Sequence, residues 1–187
     1  MILKVTKKNF LLLALSVVLP CGLAFAQEEE AEESLVNTNY LLKRHRQNLT
    51  FAASSSWKGW EVKQAFDCDK ATSWFSESGD SAAQESKPWL EVAFPEPVTV
   101  VHINVWGNRD PSYPTDYFVT RGRLVLYDDD GHELAAVDSA GQGEHYDFEF
   151  SFDKAVSGVK RVRFHSLSDQ GNDNPGKCIA LGELEIE

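Results

Sequence analysis

The sequence predicts an all-β domain, a sandwich or barrel built from short antiparallel strands. Three observations lead there. Several runs after residue 49 alternate apolar and polar side chains with a period of two, the signature of half-buried strands. Clusters of Gly, Pro, Asp and Asn separate those runs. Beyond the N-terminal leader, no long stretch spaces its apolar residues as a helix would.

The chain opens with a leader over residues 1–26. Lys4, Lys7 and Lys8 precede an apolar run from Phe10 to Leu19, and Ala24-Phe25-Ala26 supplies the small residues a signal peptidase accepts. The run is too short for a stable bilayer anchor, which needs roughly 20 residues. This predicts a secreted or otherwise extracytoplasmic protein with no transmembrane anchor once the leader is removed. Residues 27–48, acidic at Glu28–Glu33 and basic at Lys43–Arg46, are expected to be a disordered spacer.

Residues 49–187 then form one domain. Leu90, Val92 and Phe94 alternate with Trp89, Glu91 and Ala93. Tyr146, Phe148, Phe150 and Phe152 alternate with His145, Asp147, Glu149 and Ser151. Val162 and Phe164, and then Leu184 and Ile186, repeat the pattern between charged neighbours. Val98–Trp106 and Arg123–Tyr127 are more continuously apolar, as strands covered on both faces are. Turns are expected at Pro95-Glu96-Pro97, Asp128–Gly131 and Asn172–Gly176.

Charge narrows the function. Loss of the leader's three lysines leaves 15 basic against 29 acidic residues, a net charge of −14. No basic stripe exists to displace counterions, so nucleic acid is excluded as a partner. Anionic lipid is disfavoured for the same reason. A neutral sugar, a cation or a basic partner remains. The mature chain keeps Cys68 and Cys178. In an exported protein such a pair reads as a disulfide, with two separate thiols as the alternative. Nucleophile elbows, zinc-protease helices, phosphate loops and dinucleotide fingerprints are all missing, so the chain is not expected to be an enzyme and no catalytic residue is assigned.

The segment Gln64-Ala65-Phe66-Asp67-Cys68-Asp69-Lys70-Ala71-Thr72-Ser73-Trp74 resembles the A-x-D-G-D-x-x-T-x-W motif of discoidin, or coagulation-factor type C, domains and of the related family 32 carbohydrate-binding modules. Pro88–Val92, Pro97–Arg109, Leu124–Gly131 and Ala180–Ile186 resemble later segments of that family in the right order, so the likeness spans roughly residues 49–187. It implies an eight-stranded antiparallel jelly-roll β-sandwich of the galactose-binding type. It also implies a structural Ca²⁺ held by the Gln64 carbonyl, Asp67, Asp69, Thr72, the Gly182 carbonyl and Glu183. Oxygen donors of this kind suit Ca²⁺, although Asp67 and Asp69 equally suit the capping of a turn. The family's central Gly is Cys68 here. If the position needs φ > 0, the β-carbon costs on the order of 1 kcal/mol, which a bridge to Cys178 would offset.

The resemblance further implies binding of a glycan or glycoconjugate through loops at one end of the roll, with a cell-surface or matrix protein as the alternative partner. Sugars stack on aromatic rings and hydrogen-bond planar polar groups. Asn108 and Arg109 match the family's polar contacts, and Trp57, Trp60 and Tyr113 are the stacking candidates. Asn172 lies in a third polar loop, Ser168–Lys177. For Trp57 and Trp60 packing is the competing role, and for Arg109 a surface pair with Asp110 or Asp116.

Overall fold

The computed structural model describes residues 40–187. The expected signal peptide and residues 27–39 of the expected spacer lie outside the described residues. Seven strands are present among them: β1 (Thr50–Ala53), β2 (Trp74–Phe75), β3 (Trp89–Gly107), β4 (Val119–Tyr127), β5 (Glu133–Ala140), β6 (Phe148–Asp169) and β7 (Ala180–Ile186). Every pairing is antiparallel, as expected.

The count is seven, not eight, because two strands are unusually long and serve both faces of the sandwich. The first part of β3, Trp89–Ala93, pairs with β1 and with Arg161–His165 of β6. The last part of β3 pairs with β7 and with Phe148–Ser151 of β6. One layer is therefore β1, early β3, late β6, β4 and β5. The other is early β6, late β3, β7 and β2.

The bend falls where turns were expected. Pro95 and Pro97 lie inside β3, in the register shift between Ala93 and Val98, where the ladder does not need their missing N–H groups. Gly158 sits opposite in β6 with φ +82°. The β6 alternation also starts later than its sequence pattern. Tyr146 takes φ +56°, and a Gln142–Asp147 bridge closes a turn before Phe148.

The core lies between the layers, and the alternating residues fill it as expected. Leu90, Val92, Phe148, Phe150, Val162, Phe164, Leu184 and Ile186 are all at most 2% exposed. Phe164 packs against the rings of Phe148 and Phe150. Trp74 is fully buried and donates its indole N–H to the Ser55 carbonyl at 3.0 Å. Trp89 lies partly exposed, with the Arg163 guanidinium 4.2 Å above its ring.

The expected spacer needs correction at its C-terminal end. A helix, α1 (Tyr40–His45), precedes β1, and Leu41 and Leu42 are buried in the main core. Its basic run, Lys43–His45, falls in the last turn, where it complements the helix dipole. A hydrophilic composition masked two leucines at adjacent positions whose burial only the fold reveals. Leu42→Ala is expected to destabilise the domain by about 2–5 kcal/mol, as core leucine truncations do. Chemical denaturation would show this as a lower midpoint with an unchanged slope.

Candidate binding site

Four loops converge on one cavity of about 280 Å³, lined by Trp57, Trp60, Phe75, Tyr113, Tyr117 and Cys178 with Ser78, Pro175 and Gly176. The backbone sets this up. Trp57 N–H donates to the Phe75 carbonyl at 2.8 Å, and Phe75 N–H donates to the Trp60 carbonyl at 3.3 Å. The 57–60 turn, with Gly59 at φ +93°, is thereby docked against β2, with the Trp60 indole edge-on to Phe75 and Trp57 lining the same cavity. Gly176 is needed on the opposite side. A β-carbon there would sit 3.0 Å from Cys178 Sγ and 3.1 Å from the Trp57 ring.

The rings hold one another edge to face. Trp60 and Phe75 each meet Tyr113, and Tyr117 meets Phe75 and Tyr113, all at centroid distances of 5.2–5.7 Å. Such pairs contribute about 0.5–1.5 kcal/mol each beyond burial. Trp57 is 38% exposed and Tyr113 42% exposed, whereas Tyr117 is buried. Burial pushes the Tyr117 phenol above its ordinary pKa, with the Cys178 thiol and Tyr113 adding to the effect. Its hydroxyl therefore stays protonated and able to donate at neutral pH.

Three of the expected ligand residues, Trp57, Trp60 and Tyr113, are thus brought together. The other three are not. Asn108 is fully buried. Its amide donates to the Tyr113 carbonyl and its carbonyl accepts the Asp110 N–H at 3.0 Å. Asp110 in turn accepts the Trp60 indole N–H at 2.9 Å. Asn108 positions the pocket without lining it. Arg109 forms a two-pronged pair with Asp147, at 2.9 and 2.7 Å, and not with Asp110 or Asp116. Asn172 is exposed and accepts from Gln84 Nε2 at 2.6 Å. From its loop, Pro175 and Gly176 reach the cavity instead. Phe75 and Tyr117 were missed. Phe75 follows the motif tryptophan directly, and only the docking of the 57–60 turn on β2 reveals that it floors a cavity.

The loop expected to hold a cation gathers oxygen atoms. Thr72 Oγ1 lies 2.9 and 3.1 Å from the Asp67 carboxylate oxygens, 3.0 Å from the Asp69 carbonyl and 3.3 Å from the Gln64 carbonyl. One hydroxyl proton cannot serve all of these acceptors, and the cluster fits the oxygen-rich chemistry of a hard cation. The Asp67 carboxylate accepts the Asp69 N–H and the Asp69 carboxylate the Ala71 N–H, so the turn-capping role holds for both groups. Glu183 is buried beneath the loop and accepts the Cys68 N–H at 3.0 Å. Gly182 is the extra residue at a β7 bulge, where a β-carbon would lie 2.6 Å from the Gly107 carbonyl.

Cys68 does adopt φ +67°, but the expected bridge to Cys178 is not formed and does not offset the cost. Cys68 is exposed on this loop, while Cys178 is buried against the aromatic pocket, where Asn174 accepts its N–H. The hydrogen bonds of Cys68 N–H to Glu183 and of Asp69 N–H to Asp67 hold the loop instead.

This is a jelly-roll architecture: a two-layer scaffold with an aromatic pocket between loops. The chain belongs to the F5/8 type C domain family, whose model matches residues 50–181. No curated protein matches it. Among solved structures it is similar to the family 32 carbohydrate-binding module of Clostridium perfringens NanJ in complex with galactose, at TM-score 0.60 and 16% identity over 76% of this chain and 95% of that one. It is similar to a fucose-binding module of Streptococcus pneumoniae, at TM-score 0.55 and 14% identity over 73% and 89%. A chitosan-binding module from a chitosanase/glucanase of Paenibacillus sp. IK-5 gives TM-score 0.55 and 22% identity over 75% and 95%. At these identities the likeness establishes the fold.

Two outcomes test the site. Alkylation of the denatured protein without reductant, read by mass spectrometry, should modify Cys178 and show no Cys68–Cys178 bridge. In the folded protein Cys178 should react last, because burial pushes its pKa to about 11. The Asp147 carboxylate gives a pH signature. Burial alone would raise its pKa, but hydrogen bonds from Arg109 and from Gly107 N–H outweigh this and lower it. A depressed folded pKa supplies stability above the unfolded value near 4 that is lost as pH falls through the folded one. Asp147→Asn should therefore lower stability at pH 7 and flatten the acid limb of the stability–pH curve.

Proposed function

We propose that this chain is an exported carbohydrate-binding module that seats a sugar ring in the aromatic pocket and carries a structural Ca²⁺ in the 64–72 loop. The observation that carries the reading is the convergence of five aromatic rings from separate loops on one open cavity. Large aromatic side chains are usually packing, yet Trp57 and Tyr113 are substantially exposed here. Edge-to-face contacts with Trp60, Phe75 and Tyr117 fix Tyr113 beforehand, and the Trp57 backbone is pinned to Phe75, so a ligand need not order these segments. Ring faces suit the C–H face of a pyranose, while the phenols and Ser78 supply hydroxyl groups at its rim. The neighbours described above with galactose and fucose on the same fold support a sugar as the ligand. The leader at residues 1–26 supports export.

The calcium reading rests on the oxygen cluster around Thr72. The ion would join the 64–72 loop to β7 through Glu183, supplying a structural clip and no chemistry. The pocket contains no base–nucleophile pair, so the reading is recognition and not turnover.

The mature chain, residues 27–187, should bind a defined set of terminal sugars on a glycan array. Tyr113→Ala and Trp57→Ala should each weaken that binding at least tenfold, about 1.4 kcal/mol or more, without lowering the melting temperature by more than a few degrees. A blank array together with capture of a polypeptide partner would replace the glycan reading by an adhesion one. Separately, Ca²⁺ should raise the melting temperature and a chelator reverse it, because a ligand bound only to the folded state stabilises by about 2.7 kcal/mol at a hundredfold excess over Kd. Asp67→Ala should abolish the response, and a melt indifferent to Ca²⁺ in the parent protein would remove calcium from the assignment.

A further inference from the structure

A second cavity, of about 190 Å³, opens on the outer side of the layer that contains early β6 and late β3. It is lined by Asn104, Trp106, Gln142, Asp147, Phe148 and Glu149. It shares no residue with the aromatic pocket. Its construction follows from strand geometry. Asn104 and Trp106 are two apart in β3 and so share a face. Glu149 of β6 lies directly opposite Asn104. The Gln142–Asp147 bridge folds the β5–β6 turn over the end of the pair.

The polar atoms here are unevenly used. The Trp106 indole N–H is buried and has no hydrogen-bond partner among the described residues. Buried donors without partners are rare and call for an explanation. The Lys70 ammonium lies 3.6 Å and the Arg109 guanidinium 5.0 Å from the centroid of that ring. These cations lie against the indole and hold it in place as part of the cavity lining. Asn104 engages His102 through Oδ1, at 3.0 Å, which leaves its NH₂. Gln142 donates through Nε2 to the Ala140 carbonyl at 3.2 Å, which leaves its Oε1. Both Asp147 oxygens are taken up by Arg109 and the Gly107 N–H. Glu149 is exposed and supplies an acceptor.

The cavity therefore presents a donor at Asn104 and acceptors at Gln142 and Glu149, with Trp106 and Phe148 as its aromatic lining. We infer that it is a second binding site, for one neutral polyhydroxylated ring of a glycan, recognised through hydroxyl hydrogen bonds. Alternating donors and acceptors match vicinal hydroxyls, each of which donates and accepts. The uncompensated Glu149 carboxylate disfavours uronates and sulfated sugars. A module with two such sites would engage a branched or repeating glycan bivalently. This inference does not depend on the aromatic pocket.

The five tryptophans make the test direct, because each indole N–H gives its own ¹H–¹⁵N signal. The mature chain is titrated with D-galactose, L-fucose and N-acetyl-D-glucosamine, each to about 100 mM, roughly a hundredfold above a millimolar Kd. Glucuronate serves as the anionic control. The Trp106 signal should shift saturably with at least one neutral sugar and not with glucuronate. The shift should persist in Tyr113→Ala, which cripples only the aromatic pocket. It should weaken at least tenfold in Gln142→Ala, a change at an exposed residue that leaves the core intact, and in Asn104→Ala. A Trp106 signal unmoved by all three sugars overturns the inference, and so does a shift unchanged in both variants. Movement of Trp57 and Trp60 without Trp106 would overturn it while leaving the aromatic pocket's role standing. Movement of Trp106 alone would do the reverse.

Discussion

The long antiparallel pairing of β3 with β6 is the constraint on which the rest of the structure depends. Its two halves belong to different layers of the sandwich, joined through the Pro95–Pro97 and Gly158 bend. Every other strand except β2 and β5 pairs with one of these two. The core exists because this ladder turns the apolar faces of both layers inward, placing Leu90, Val92, Phe150, Val162 and Phe164 on common ground. Both cavities hang from its ends. Gly107, where β3 stops, would bring a β-carbon within 1.7 Å of the His145 carbonyl. Only glycine lets the loop after β3 and the turn before β6 approach so closely.

Beyond that ladder, buried polar residues position loops. Asn108 and Asp110 tie the Tyr113 loop to Trp60. Asn174 gathers the Asp116, Gln170 and Cys178 carbonyls with one amide, fixing the far wall of the aromatic pocket. Asp80 accepts from Ser54, Ser55 and Ser86, and Asp169 from Ser166 and the Ala82, Ala83 and Gly171 N–H groups. A side chain left half-satisfied in such a position costs more than its hydrogen bond contributes, so these networks make the loops rigid. Rigid loops allow exposed aromatic rings to persist as a site without collapsing onto the surface.

The two cavities separate by chemistry. The aromatic pocket offers ring faces and few polar groups. The β3–β6 cavity offers polar edges over a small apolar floor. The oxygen cluster at Thr72 contains no labile group, and beside it the Cys68 N–H ties the same loop to Glu183 of β7, the last strand. Arg109 belongs to this scaffolding as well. It reads as a ligand contact in the linear sequence because it matches, by its place after β3, a polar contact of the related carbohydrate-binding modules. Its pairing with Asp147, thirty-eight positions on, turns it toward the other cavity.

What the sequence by itself determined was whatever is periodic or local. Period-two alternation selected the β class and most of the core, because burial on one face of a strand repeats every second residue. The Asp67–Trp74 motif placed the oxygen-rich loop, because its donors are close in the chain. Three pocket rings were legible as aromatics in polar loops. Only the tertiary structure decided the rest. It joined two predicted strands through a proline pair that reads as a turn, because β-bulges tolerate prolines that regular ladders reject. It placed Leu41 and Leu42 in the core and separated Cys68 from Cys178. It also sorted Trp57, Trp60 and Tyr113 into the pocket, Asn108 beneath it, and Arg109 away from it. Those choices depend on which loops meet, and that is set by pairings between residues distant in the chain, such as Trp89 with His165 and Trp74 with Leu181.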